Sequence, residues 1–339
     1  MNKKYFAIGT CLIVAILATW LAGMQSVIGG PMIGLLIGML IVNLIPVDGE
    51  FKKGTSFAGK KFLNIGIILA GATLHFAQVL GYGAKALPLI VFNMILSFGA
   101  ALLFGKMLNL SRNTSTLVGG GTSICGGTAI ATTASIIRAT EEEIAYAMTA
   151  IFLFDVFAAI TYPYIAQWLN ITVNQFGFLA GTAINDTSSV AAAQETFNVL
   201  RGIETTNPIT VKLTRTTMLI PMAVLLTLNQ IRTAGKEHSD GETLGATIKR
   251  IFPWFILGFV LMALLNTLGV FGAVGIPGKW FSVSYKFFIT AALVGVGFKI
   301  RFKDLFTKGA KPILLGGITW FFVALSSFIF IFLFANYIG

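Results

Sequence analysis

Two segments carry small hydroxyl residues and glycine in nearly the same order: GTSICGGTAIA (Gly121–Ala131) and GTAINDTSSVA (Gly181–Ala191). In an apolar surrounding such a run is a poor continuous helix. Unwound backbone survives at membrane depth only beside protein or a water-filled cavity. Gly126 and Gly127, with Gly119–Gly121 before them, permit the unwinding. The N–H groups freed at a following half-helix, helped by the helix dipole, favour an anion. Thr122, Ser123 and Thr128 add hydroxyls in the first segment, with Cys125 among them; Thr182, Thr187 and Ser188 do so in the second, and Asn185 can donate or accept. Two such segments meeting at one solute site are the pattern of a transporter. Tight packing of helices through small residues is the structural alternative.

Charged residues inside apolar runs extend the candidate site. Asp186 lies within the second segment, and Asp155 sits in AIFLFDVFAAI. A carboxylate in lipid is costly, so such residues face a cavity and often carry protons or bind cations. For Asp155 the alternative is a neutral, hydrogen-bonded side chain among helices. Lys212 and Arg215, at i and i+3, share one face of VKLTRTTMLIPMAV. An Arg fork beside a Lys point charge attracts anions; snorkelling to the interface is the alternative. Pro221 is expected to kink that helix.

These residues need elements to hold them. Of 339 residues 56% are hydrophobic and only 11% charged, more apolar surface than a soluble domain can hide. Apolar runs near 5–22, 27–46, 62–80, 86–105, 116–137, 144–168, 176–199, 209–231, 251–271, 282–298 and 312–337 predict an all-α polytopic membrane protein. About 9–11 transmembrane helices are expected, each needing about 20 residues. The first run is read as a membrane helix, being long for a signal peptide and lacking a cleavage site. The formal charge of +11 falls between the apolar runs, without the basic stripe that nucleic acid requires. Cys11 and Cys125 support neither a disulfide framework nor a zinc site, and no HExxH, GxSxG or Walker-type loop occurs. No cofactor or metal is expected.

Basic loops set an orientation. Lys3, Lys4, Lys52, Lys53, Lys60, Lys61, Lys106 and Arg112 fall on one side, as do Arg232, Lys236, Lys249, Arg250, Lys299, Arg301, Lys303 and Lys308. This places the N-terminus in the cytoplasm and the C-terminus outside. Arg201, Lys212 and Arg215 break the pattern. Either all apolar runs span, or 113–137 dips in from the cytoplasm and 176–200 from outside; the second reading turns the two motifs antiparallel, as an inverted repeat needs. The repeat would cover roughly 27–168 and 176–337, in direct or permuted order, within one transmembrane domain spanning 1–339. GATLHFAQVLGYGAK (Gly71–Lys85) also aligns with GFKIRFKDLFTKGAK (Gly297–Lys311), placing His75 opposite Arg301. His238 is read as solvated, and the acidic run 141–143 as a helix N-terminus.

At these motifs the chain resembles the YeiH family of bacterial membrane proteins, labelled sulfate exporters. GTSICGGTAI, GTAINDTSSVAAA, VKLTR followed by Pro221, and GVGFKIRFKDLFTKGAKPILLGG carry the resemblance, which runs over nearly the whole chain. The chain departs where the family reads closer to a small-polar GLxT: here stand Gly297, Phe298, Lys299 and Ile300. The resemblance implies a cation/proton antiporter or anion transporter fold with inverted repeats, in a bacterial inner membrane. The expected function is a carrier for a small inorganic or organic anion such as sulfate, a related oxyanion or a sulfonate. Proton or sodium coupling would run through Asp186 and Asp155. The expected surroundings are the lipid bilayer and a second copy in a homodimer. A channel and an intramembrane enzyme are the alternatives.

Overall fold

The computed structural model describes residues 3–25, 29–73, 76–234, 254–299, 301 and 310–339. His75, His238, Lys236, Lys249, Arg250, Lys303, Lys308 and most of the segment aligned with Gly71–Lys85 lie outside them.

Every regular element among the described residues is helical. The helices are α1 (Lys3–Gly23), α2 (Gly30–Leu44), α3 (Gly49–Gly71), α4 (Phe76–Met107), α5 (Arg112–Ser123), α6 (Gly127–Ile137), α7 (Glu141–Trp168) and α8 (Val173–Ala183). Then come α9 (Thr187–Arg201), α10 (Asn207–Thr217), α11 (Leu219–Ala234), α12 (Trp254–Thr267), α13 (Val270–Ala273), α14 (Gly278–Gly297), α15 (Ala310–Leu333) and α16 (Ala335–Ile338). Six of the spans are long and apolar enough to cross a membrane: Lys4–Gly23, Leu80–Met107, Glu142–Trp168, Asn207–Asn229, Gly278–Gly297 and Ala310–Leu333. That is fewer than the apolar runs promise. The helices of the two glycine-rich runs are too short, α2 and α12 have only 15 and 14 residues, and α3 is interrupted by lysines. Exposed tryptophans mark helix ends: Trp20 near the end of α1, Trp168 closing α7, Trp254 opening α12 and Trp280 early in α14. Amphipathic rings at such positions sit at the level of lipid headgroups.

The helices sort into two bundles. α1, α2, α3, α12 and α14 pack on one another, and α4 to α11 pack with α15. Lipid tails are as apolar as Leu, so close approach of backbones, rather than expulsion from water, holds such helices together. In the first bundle Gly38 of α2 faces the Val294 carbonyl of α14, and Gly297 faces that of Leu35; any Cβ there would collide with backbone. The second bundle adds buried polar links. Asn93 Nδ2 of α4 donates to Ser327 Oγ of α15 at 2.9 Å, and Thr182 Oγ1 of α8 lies 2.9 Å from the same oxygen.

Two hairpins of short helices sit inside the second bundle. α5 and α6 pack side by side, and a Cβ on Gly121 would lie 2.9 Å from Ile130. Their open end is tied to the start of α7: Ser111 Oγ donates to Glu143 Oε1 at 2.5 Å and Asn113 Nδ2 to Glu143 Oε2 at 3.2 Å. Thr140 and Glu143 close a capping box there, so the acidic run does open a helix. α8 and α9 are tied to the opposite end of α7. Arg201 of α9 donates to the carbonyls of Ala166 (3.2 Å) and Ile171 (3.4 Å), and Asn207 Nδ2 donates to Asn174 Oδ1 of α8 at 3.2 Å. The two hairpins therefore open toward opposite ends of α7, here called the first face (Glu143) and the second face (Arg201).

Candidate functional site

The closed tips of the hairpins meet midway along α7. Ile124, Cys125 and Gly126 join α5 to α6; Ile184, Asn185 and Asp186 join α8 to α9. Gly126 has φ +63° and ψ −120°, a conformation that L side chains rarely adopt. It is also the point of contact, since a Cβ there would lie 3.3 Å from Asp186 Cβ.

Two helices end at this junction with carbonyls exposed, and two begin with amides exposed. The carbonyl ends are held by α10. Lys212 Nζ donates to the carbonyls of Ile124 (2.5 Å), Ile184 (3.1 Å) and Asn185. Arg215 Nε donates to Ser123 (2.7 Å), Nη1 to Ile184 (2.9 Å) and Nη2 to Thr122. Both side chains are fully buried, and each bridges both tips. Their one-turn spacing thus places two cations against the negative ends of two helix dipoles. Their misfit with the loop charges has the same cause, because neither lies in a loop.

The amide ends differ from each other. At α9, Asp155 Oδ1 accepts from the amides of Asn185 (2.7 Å) and Asp186 (2.9 Å). Asp186 then caps the helix, accepting from the Ser188 amide at 2.9 Å and from its hydroxyl. Two carboxylates occupy that end. At α6 the cap residue is Gly126, which offers no side chain. Gly127 is half-buried, Thr128 exposed and Asp186 half-buried, so this side of the junction is open.

Most of the residues singled out by sequence are thereby brought together: Thr122, Ser123, Cys125, Gly126, Asn185, Asp186, Thr187, Ser188, Asp155, Lys212 and Arg215. Gly127 packs against Met148 of α7, and Thr128 turns outward. Several polar atoms at the junction are buried without a partner: Thr122 Oγ1, Asp155 Oδ2 and both side-chain atoms of Asn185. Buried polar groups of this kind call for water or a ligand. Lys299 stands just past the end of α14. Its ammonium is held below the ordinary lysine value by desolvation first, with Asp186 acting in the opposite sense and Lys60 adding to the lowering. Separately, a groove of about 860 Å³ between α4, α7 and α15 is lined by apolar residues such as Phe104, Phe154 and Trp320, none of them at the junction. Among the described residues no group of three or more His, Cys, Asp or Glu could hold a metal ion.

Fold and junction define a multi-pass membrane protein, all-α among the described residues, with charged residues buried where two helical hairpins touch. The chain belongs to the family described as Conserved hypothetical protein 698, which it matches over residues 7–316. It is 36% identical to a UPF0324 membrane protein of Fusobacterium nucleatum, over 96% of this chain and 97% of the relative. Two further UPF0324 membrane proteins, of Streptococcus pyogenes and Streptococcus pneumoniae, are 37% identical over 94% and 96% of this chain and 93% and 96% of their own lengths. Among solved structures the sodium proton antiporter MjNhaP1 of Methanocaldococcus jannaschii at pH 8 aligns over 99% of this chain and 97% of its own, with 17% identity and a TM-score of 0.29.

Proposed function

We propose that the chain is a secondary carrier for a small anion, bound where the two hairpin tips meet. The observation that carries this reading is the asymmetry of the two amide ends. The α9 end is already filled by Asp155 and Asp186, whereas the α6 end has no acidic cap and lies open. A helix N-terminus without an acidic cap, beside hydroxyls and buried cations, is an anion site. The three protons of Lys212 are all engaged by carbonyls, so its part is electrostatic, together with Arg215. Direct contacts fall to the amides of Gly127 and Thr128 and to the hydroxyl of Thr187, the Ser188 hydroxyl being given to Asp186. Asp186 and Asp155 are the candidates for proton or sodium coupling, because acids in such tips commonly hold cations.

In this reading the hairpins are re-entrant, α5–α6 from the cytoplasm and α8–α9 from outside, related as an inverted repeat. The positive-inside rule supports it, since Lys52, Lys53, Lys60, Lys61 and Arg112 cluster toward the first face. The resemblance to the YeiH family makes sulfate, another sulfur oxyanion or a sulfonate the first anions to test, with carboxylates beside them.

The test is a thermal-unfolding screen of purified protein against sulfate, sulfite, sulfonates and carboxylates. A ligand at about 100 times its Kd stabilises by about 2.7 kcal/mol. A selective upward shift that is lost in Arg215→Gln supports the reading. No shift with any anion, while flux assays also stay flat, removes it.

A further inference from the structure

The two bundles meet along a narrow seam. α9 packs on α2 and α14 along one half, and α4 on α12 along the other. Toward the second face the first half of this seam is ionic. Lys286 Nζ of α14 lies 3.1 Å from Glu195 Oε1 of α9 and 3.2 Å from Glu204 Oε1 in the loop beyond α9. Ser282 Oγ, one turn away, lies 3.2 Å from both Glu204 oxygens. α2 closes on the same spot: the Gly29 amide donates to Thr196 Oγ1 at 3.4 Å, and a Cβ on Gly29 would lie 3.0 Å from the Glu195 backbone. Glu195 is only 7% exposed.

An ion pair between a buried carboxylate and a partly buried ammonium is a costly way to join two helices that apolar side chains could join. Inside the first bundle glycine-to-backbone contacts do that work; at this end of the seam charge is added to the contact that Gly29 makes. Two carboxylates also share one ammonium, and Glu204 sits in an exposed loop. Lys286 can therefore keep one partner while the other leaves. On the first-face side of the tips, Thr128 is exposed and Asp186 half-buried. Asp186 at the tips is thus less enclosed than Glu195 at the ionic contact.

We propose that Glu195, Lys286 and Glu204 form a latch that closes the seam between the bundles toward the second face, and that it must part for the tips to be reached from there. The proposal rests on reading the tips as a transport site, but its test needs no substrate. Ala191, 2% exposed, lies one turn inward of Glu195 on the same side of α9. Ala191→Cys therefore reports whether the seam behind the latch is open. A membrane-impermeant thiol reagent is applied to each side of sealed vesicles. The chain carrying only Cys11 and Cys125, both buried, gives the background, and Thr128→Cys reports the first face.

With the latch intact, Ala191→Cys is expected to label slowly from the second face. Lys286→Gln should raise that rate about fivefold or more, the scale set by losing an ion pair at a partly buried site. Exchanging the charges, Glu195→Lys with Lys286→Glu, should return it toward the slow value, which loss of packing alone would not do. If Lys286→Gln fails to fold, Glu204→Gln in the exposed loop replaces it, with a rise in the same direction expected. Unchanged labelling in these variants, while Thr128→Cys reacts from the first face, overturns the latch and leaves the transport reading standing. Failure of both reporters to label from either face overturns both.

Discussion

At the scale of single residues, the junction turns on which groups satisfy which helix ends. Lys212 and Arg215 do so for the carbonyl ends of α5 and α8, and their chemistry is not interchangeable. A guanidinium fork spans three carbonyls from two tips; an ammonium at that place reaches fewer. Arg215→Lys is therefore expected to leave one or two buried carbonyls unpaired, at about 1–3 kcal/mol each. A lower midpoint of thermal unfolding in detergent should report it, and Lys53→Gln, which alters an exposed side chain, should leave the midpoint unmoved. Equal midpoints for Arg215→Lys and the parent would mean that the carbonyls find other partners. Asp155 is the converse case. Its Oδ1 fixes the tip of α8–α9 by accepting two amides, while Oδ2 has no partner. Asp155→Asn can still accept with its carbonyl, so it should fold, whereas Asp155→Leu leaves two buried amides bare and should lose several kcal/mol. Comparison of the two midpoints checks this; a Leu variant as stable as the Asn variant would show that the carboxylate does not hold the tip.

At the scale of elements, each hairpin exists because its sequence cannot continue one helix through the middle. The glycines before and within CGG relax the backbone, and Gly126 reverses the chain at positive φ. Gly126→Ala should cost about 1–3 kcal/mol of backbone strain. It also pushes a methyl to 3.3 Å from Asp186 Cβ, and so should separate the tips. Thermal unfolding and anion-induced stabilisation should both fall. Retained anion stabilisation would place the binding site elsewhere. This much of the element level was legible: GTSICGGTAIA and GTAINDTSSVA announce breaks, because small and hydroxyl residues weaken a helix wherever it is placed. The partners of the breaks were less legible. Nothing in the spacing of Lys212 and Arg215 distinguishes donation to carbonyls from attraction of a free anion, since both use one cationic face. The Glu195–Lys286 pair was illegible for another reason. It joins residues far apart in the chain, and neither alone names the other as its partner.

At the scale of the whole molecule, what matters is that two bundles of different construction share one seam. The apolar runs announced a polytopic helical protein, but they could not divide it. Hydropathy does not say which helices pack on which, and the division lies in that packing. The apolar runs outnumber the six described spans because a run of apolar residues does not fix the length of the helix within it, as α2 and α12 show. A carrier built on such a seam exposes its tips to one side at a time, whereas a channel would connect both. Flux into proteoliposomes of the anion identified by thermal shift should therefore saturate, and unlabelled anion on the opposite side should accelerate it. Energetics then constrain the direction. An inside-negative potential favours outward movement of an anion by about 2.3 kcal/mol per charge per 100 mV, so export requires no coupled cation and uptake does. If the protein works by uptake or exchange, flux should rise with an imposed proton or sodium gradient. Asp186→Asn should then abolish that dependence while the fold persists, since an amide oxygen can still accept from the Ser188 amide but carries no charge to neutralise. Flux in the unaltered protein that ignores both gradients would remove the coupling role and leave Asp186 as the cap of α9, with the membrane potential alone driving the anion outward.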